Sequence, residues 1–383
     1  MPLSRQKACQ FVVAHGAGIA ILSMVTVAAH AESPLSYTFA NGGSVTAYGQ
    51  INPSYLGYDD GEKSQGYAPV GNANSTPRFG AVYESSLDTG WDIMGIAEAG
   101  YMPRASNAIS QLDSDGTDWG FSRSNLRKLE VSFGNETYGN FSFGQGSMAS
   151  DGIAEIDVSG TDVIGYSHVS DIAGDFFYRQ NNGTLSDITV QSTSTNLDGS
   201  RRLRVRYDTP TFSGITVSGA YGNDWVGENP DDLYGDLAAR YMSDAGGFQT
   251  QAGVGYNWTM PDGGDNFEFW SGSLSTLHKA TGLNFTVAGG SEIDSDGDYI
   301  YTKLGWKADF WDIGSTNFAV DYYDGQNFAE NDSDSITYSV MAVQNIQEYA
   351  VDVYAIYRVF TYDDTAANYQ DGQAVMAGVR WQF

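Results

Sequence analysis

Arg202, Arg204 and Arg206 alternate with Leu203, Val205 and Tyr207. A period of two puts the guanidinium groups on one face of a strand and the apolar side chains on the other. The same alternation selects Arg78 and Glu84, opposite Phe79, Ala81 and Tyr83, and Lys128 with Glu130, opposite Leu129, Val131 and Phe133. Arg380 adds a cation near the C-terminus, on the face away from Val379 and Trp381. Acids gather elsewhere: Asp151, Glu155, Asp157 and Asp162, then Asp171 and Asp175, share one long segment. Fixed cations facing a band of acids would set up a transverse field, which selects by charge and makes no bonds. Arg127 has the opposite parity to Lys128 and is expected to begin the strand or snorkel at an interface.

Catalytic chemistry has little to work with. Beyond residue 31 the only histidines are His168 and His278, and the only cysteine, Cys9, lies before that point. Ser275 precedes His278 by three residues, but no nucleophile elbow or metal-ligand cluster accompanies them. Asp294-Ser295-Asp296-Gly297-Asp298 begins like a calcium loop, yet its twelfth position is Gly305, not glutamate. Solvated hairpin acids are the preferred reading. No resident cofactor is expected; calcium at the acidic outer loops is the one cation the sequence leaves open.

Residues 1–31 carry the marks of a secretory signal: Arg5 and Lys7, a small-residue apolar stretch from Phe11 to Ala29, and Ala29-His30-Ala31 as a cleavage site. Cleavage would leave residues 32–383 as one domain with 17 basic and 47 acidic residues, a formal charge of −30. Such a chain repels phosphate backbones, so a nucleic-acid partner is not expected. Twenty-five Tyr, 19 Phe and 8 Trp argue against disorder, and 46 Gly against 9 Pro suit many strands joined by tight turns.

The strands that must position the charges alternate along the whole chain. Phe248, Thr250, Ala252, Val254, Tyr256 and Trp258 oppose Gln249, Gln251, Gly253, Gly255 and Asn257. That run is as long as a tilted membrane-crossing strand. Five strands are expected before one long insertion, at about 44–58, 78–88, 91–102, 126–135 and 139–147. Eleven follow, beginning near 201, 215, 234, 248, 267, 283, 299, 317, 335, 350 and 373. Sixteen is the even number a bacterial barrel requires, and short turns alternate with long polar loops, the first of them at 59–77, as at its two ends. The expected fold is all-β: a sixteen-stranded antiparallel transmembrane β-barrel in a bacterial outer membrane.

Several segments resemble the general diffusion porins of Gram-negative bacteria, in their alphaproteobacterial branch. They are VTAYGQINPSYLGYDDG from Val45, RFGAVYE from Arg78, FGQGSMASDGIAEIDVSGTDVI from Phe143, YDTPTFSGITVSGAYG from Tyr207, and the terminal GVRWQF. The resemblance implies a homotrimer in lipid and lipopolysaccharide, a long third loop (148–200) folded into the lumen, and passive diffusion of small hydrophilic solutes and ions. It departs at Gln50, where some enterobacterial members carry lysine. A mild cation preference is expected from the acidic loops. A solute-specific channel is the alternative, with Tyr299, Tyr301, Tyr354 and Phe360 at inward parity but forming no continuous ladder.

Overall fold

The computed structural model describes residues 35–383 except Asn41, Thr117, Asp118 and Glu228; the expected signal, 1–31, lies outside the described residues. Sixteen antiparallel strands form the wall. They are β1 (Ser44–Ile51 and Pro53–Asp59), β2 (Arg78–Ser86), β3 (Asp92–Gly100), β4 (Leu126–Asn135), β5 (Gly139–Ser147), β6 (Arg201–Asp208), β7 (Ile215–Asn223) and β8 (Leu233–Ala245). The remainder are β9 (Phe248–Met260), β10 (Phe267–His278), β11 (Leu283–Glu292), β12 (Asp298–Trp311), β13 (Gly314–Gln326), β14 (Asp334–Ile346), β15 (Val351–Asp363) and β16 (Gly372–Gln382). Each pairs with its neighbours in sequence, and β16 closes on β1 through Ile51↔Trp381 and Ser54↔Gly378. Closure pairs the last strand with the first, as a sheet inside lipid needs; the inner end of β1, Ser44–Thr46, pairs instead with a short strand at Ser36–Thr38.

The wall is inverted relative to a soluble protein. Leu304, Val320 and Val340 are 60%, 51% and 53% exposed on the outside, while Lys303 and Ser339 are buried on the inside. An apolar outer band of that extent is stable only against lipid. Aromatic pairs mark its ends: Trp91–Tyr138, Trp306–Phe310 and Trp381–Phe383 near the short turns, Tyr256–Trp258 toward the long loops.

Two departures from the expected elements shape the interior. β1 is interrupted at Asn52, and the stretch expected as a polar loop at 59–77 contains a strand, Ser64–Gly71, paired to the outer half of β1. Tyr67 and Val70, three residues apart across a shift in register, are both buried. The 148–200 segment also carries a hairpin, Phe177–Arg179 with Leu185–Thr189.

That segment lines the inner wall from β8 to β15. Ser150 N–H donates to Asp236 at 2.7 Å, Val158 N–H to Ser275 at 3.0 Å, Lys303 Nζ reaches Asp157 at 2.5 Å, and Arg358 donates to the Val169 carbonyl at 2.8 Å. A Cβ at Gly253 would come within 2.6 Å of the Ile153 side-chain tip and one at Gly255 within 2.9 Å of Ser150 Cβ, so the two glycines give the segment room to lie close to the wall. Between the segment and β13–β16 with β1 lies a dry core that includes Phe176, Ile164, Ile172, Met341, Ile356 and Phe360. One side of the lumen is therefore filled.

Candidate functional site

The open side is a cavity of about 840 Å³. Its basic wall is made of Arg78, Arg127 and Arg201, the first or second residues of β2, β4 and β6. Alternate strands of an antiparallel barrel start at the same end, so the three cations come level. Arg127 Nε lies 2.7 Å and Arg78 Nε 3.7 Å from the Glu98 carboxylate, which also accepts from Tyr48 Oη at 2.7 Å. Arg201 lies 3.7 Å from Asp151.

Arg127 corrects the parity reading. Glu98 pairs with Lys128 but Ala99 with Leu126, leaving Arg127 as the extra residue of a bulge. A bulge re-aims a side chain by breaking alternation locally, so Arg127 faces the lumen rather than an interface. Arg201 was missed for a related reason: at the very start of a strand, period two no longer dictates direction.

The opposite wall is the loop. Asp151, Glu155, Asp171 and Asp198 face the cavity with Tyr166 and His168. Tyr166 Oη donates to Asp171 at 2.5 Å, Asn196 Nδ2 to Glu155 at 3.0 Å, and Gly152 and Ala154 N–H to Asp198 at 2.6 and 2.8 Å. Burial pushes the Glu155 carboxyl up to about 7; the His168 ring opposes the shift, and the Asp151 and Asp171 charges add to it. Burial, with Glu155 and Asp151 nearby, also holds Asp198 well above the usual carboxylate range. Leu197, between Asn196 and Asp198, has φ +46°, a left-handed conformation that a leucine holds only where its surroundings enforce it.

The other expected site residues lie as follows. Lys128 faces the lumen among Glu130, Glu98 and Asp151, and makes no ion pair among the described residues. Glu130 pairs with Arg204, which also donates to the Ser147 carbonyl at 3.0 Å. Arg206 chelates Asp208 and donates to the Met148 carbonyl at 2.7 Å; Arg202 meets Asp224 at 3.5 Å and stacks 4.0 Å over Tyr234. The ladder thus faces inward, and two of its rungs hold the root of the long loop. Arg240, unanticipated, extends this grip to the Ala149 and Asp151 carbonyls. Arg380 bonds Asp352 at 2.6 Å and Ser75 at 3.2 Å.

Asp157 is sealed against Lys303 rather than facing the cavity, with both side chains at most 2% exposed. Asp162 is exposed but not among the cavity's lining residues. Glu84 stands opposite Ser44, six residues down β2 from Arg78, about 20 Å along the strand toward the short-turn end. Gln50 is buried and donates to Ser75 and Thr76 carbonyls at 3.1 and 2.9 Å, positioning the loop beside Arg78. Tyr299, Tyr301, Tyr354 and Phe360 face inward but are buried beneath the loop segment.

A closed lipid-facing barrel with a charged internal cavity defines a membrane channel. The Gram-negative porin family model matches residues 18–365, and the chain belongs to that family: it is an outer-membrane channel for passive passage of solutes. Its fold is similar to that of an anion-selective porin from Comamonas acidovorans (TM-score 0.59, 17% identity, covering 89% of this chain and 100% of that one). It is also similar to OmpT of Vibrio cholerae in its trimer form (0.54, 14%, 89% and 99%) and to the outer membrane channel DcaP of Acinetobacter baumannii (0.55, 14%, 91% and 99%). Compared with curated proteins, the chain matches none.

Proposed function

We propose that the cavity between the arginine wall and the acidic loop is the constriction of a diffusion channel for small hydrophilic solutes and ions. The observation that carries this reading is the opposition of Arg78, Arg127 and Arg201 to Asp151, Glu155, Asp171 and Asp198 across a single space of about 840 Å³. A field fixed across a narrow, low-dielectric passage acts on every ion that crosses it. Lining acids outnumber lining arginines, so the channel favours cations weakly, most when the carboxyls are ionised.

The unit in the membrane is a homotrimer seated in lipid and lipopolysaccharide, a reading supported by the trimer form of the similar OmpT. Residues 1–31 are removed on export. The chain works without a cofactor and without catalysis, since diffusion needs only a shaped and charged passage; calcium at the outer loops would act on lipopolysaccharide, not on transport.

The test is single-channel conductance of the refolded protein in a planar bilayer under a salt gradient. Steps arriving in threes, with a reversal potential displaced modestly toward cations, are expected. A folded barrel that passes no current would overturn the channel reading, and anion preference at alkaline pH would overturn the charge reading.

A further inference from the structure

Besides its basic and acidic walls, the cavity has a third surface. Phe267 and Phe269, on the inward face of β10 with ring centroids 5.6 Å apart, and Phe328, in the loop after β13, line it together with Leu197 and Met102. Barrel interiors are normally polar, because water fills them. The inward tyrosines Tyr299, Tyr301 and Tyr323 are buried under the loop, where Tyr323 Oη donates to the Thr195 carbonyl at 2.8 Å. Phenylalanine offers no such hydrogen bond, so an incompletely covered ring beside water is a surface waiting for apolar contact. Phe269 and Phe328 rest on the buried cluster that holds Leu197, which fixes the patch in place.

One stretch of backbone joins the three surfaces. Asn196 holds Glu155, Leu197 carries the apolar patch, Asp198 is acidic, and Arg201 belongs to the basic wall. Leu197 and Arg201 are at most about 14 Å apart by chain length. The strained left-handed Leu197 sits where the acidic and apolar surfaces meet.

We infer that this cavity is a three-point site for a zwitterionic solute with an aromatic side chain, of which a free aromatic amino acid is the smallest example. The solute carboxylate faces the Arg78–Arg127–Arg201 wall, its ammonium faces Asp151 and Glu155, and its ring lies on Phe267, Phe269 and Phe328. A simple anion meets the acidic loop and a simple cation the arginines; only a molecule carrying both charges satisfies both walls. The aromatic surface then separates phenylalanine from alanine. This inference rests on the cavity being the conducting path, and it gives a physical basis to the solute-specific alternative.

Block of the potassium chloride current tests it with four probes: L-phenylalanine, L-alanine, 3-phenylpropanoate and phenethylamine. Phenylalanine should block at about tenfold lower concentration than alanine, the worth of burying one side chain, and at lower concentration than either singly charged analogue. Phe267→Ser and, independently, Phe328→Ser should each lower the phenylalanine-to-alanine ratio toward one. Equal block by phenylalanine and alanine in a conducting channel would overturn the inference while leaving the channel reading intact. So would a ratio unchanged in both variants, or stronger block by phenylpropanoate or phenethylamine. Absence of any current would overturn both.

Discussion

The two sides of the lumen use the same ingredients to opposite ends. On the filled side, Arg358 and Lys303 are fully buried, paired with Asp321 and Asp157 and donating to loop carbonyls at Val169 and Gly165. On the open side, Arg78, Arg127 and Arg201 keep 29%, 18% and 34% of their side chains exposed and face the cavity. A buried cation is spent on holding structure: both terminal nitrogens of Arg358 donate, and Nε alone has no partner among the described residues. A partly exposed cation keeps part of its field for whatever passes. Anchorage on one side is what lets the loop hold its acids at a fixed distance from the other.

Breaking the filled side should have the largest effect. Arg358→Ala leaves Asp321 buried without its cation and frees the Val169 carbonyl, a loss of about 3–5 kcal/mol. A lower urea midpoint should be accompanied by larger, noisier conductance as the loop detaches. Unchanged stability and quiet single-channel steps would mean that the ion pairs do not anchor it.

On the open side, stability should move less than on the filled side while selectivity moves more. In Arg127→Gln, Glu98 keeps Arg78 and the Tyr48 hydroxyl, so the lost charged hydrogen bond should cost about 1–2 kcal/mol. The reversal potential should nevertheless move clearly toward cations. A change in stability without one in reversal potential would place Arg127 with the anchors.

A smaller effect follows from Glu155. Its carboxyl is raised from the usual range to about 7, so it is largely protonated at pH 5.5 and ionised at pH 8. Cation preference should therefore grow as pH rises through 7, and Glu155→Gln should flatten that part of the profile. The sign for stability is the reverse: ionisation at high pH is costlier in the folded channel than in the unfolded chain, so the substitution should stabilise at pH 8 and not at pH 4. A pH profile identical in the two proteins would remove Glu155 from the field. The smallest effect belongs to Glu84→Gln, which should leave reversal potential unchanged because Glu84 lies far down β2 from the cavity. A clear shift would mean that the field extends to the short-turn mouth.

Much of the wall could be read in advance because alternation is a local property. Ten of the eleven later strands begin within one residue of their expected positions; β13 begins at Gly314, three residues before the expected 317. The pairing of Glu130 with Arg204 follows from strands four and six flanking strand five, with Gly146 leaving room between them. What escaped were the places where alternation lapses: the bulge at Arg127, the strand start at Arg201, and the strand hidden in the first long loop.

The sequence by itself determined the barrel, its strand number and which faces meet lipid and lumen, since period two needs only neighbours along the chain. It also showed that basic residues would stand on the wall and acids on the long loop. Tertiary structure alone decided which of them meet. Asp157 and Glu155 are two residues apart on the same acidic segment, yet one is sealed against Lys303 and the other lines the cavity. The difference lies in what each packs against. That depends on β8 to β15, with contacts such as Arg358 to Val169 spanning 189 residues, to which a loop without periodicity carries no register.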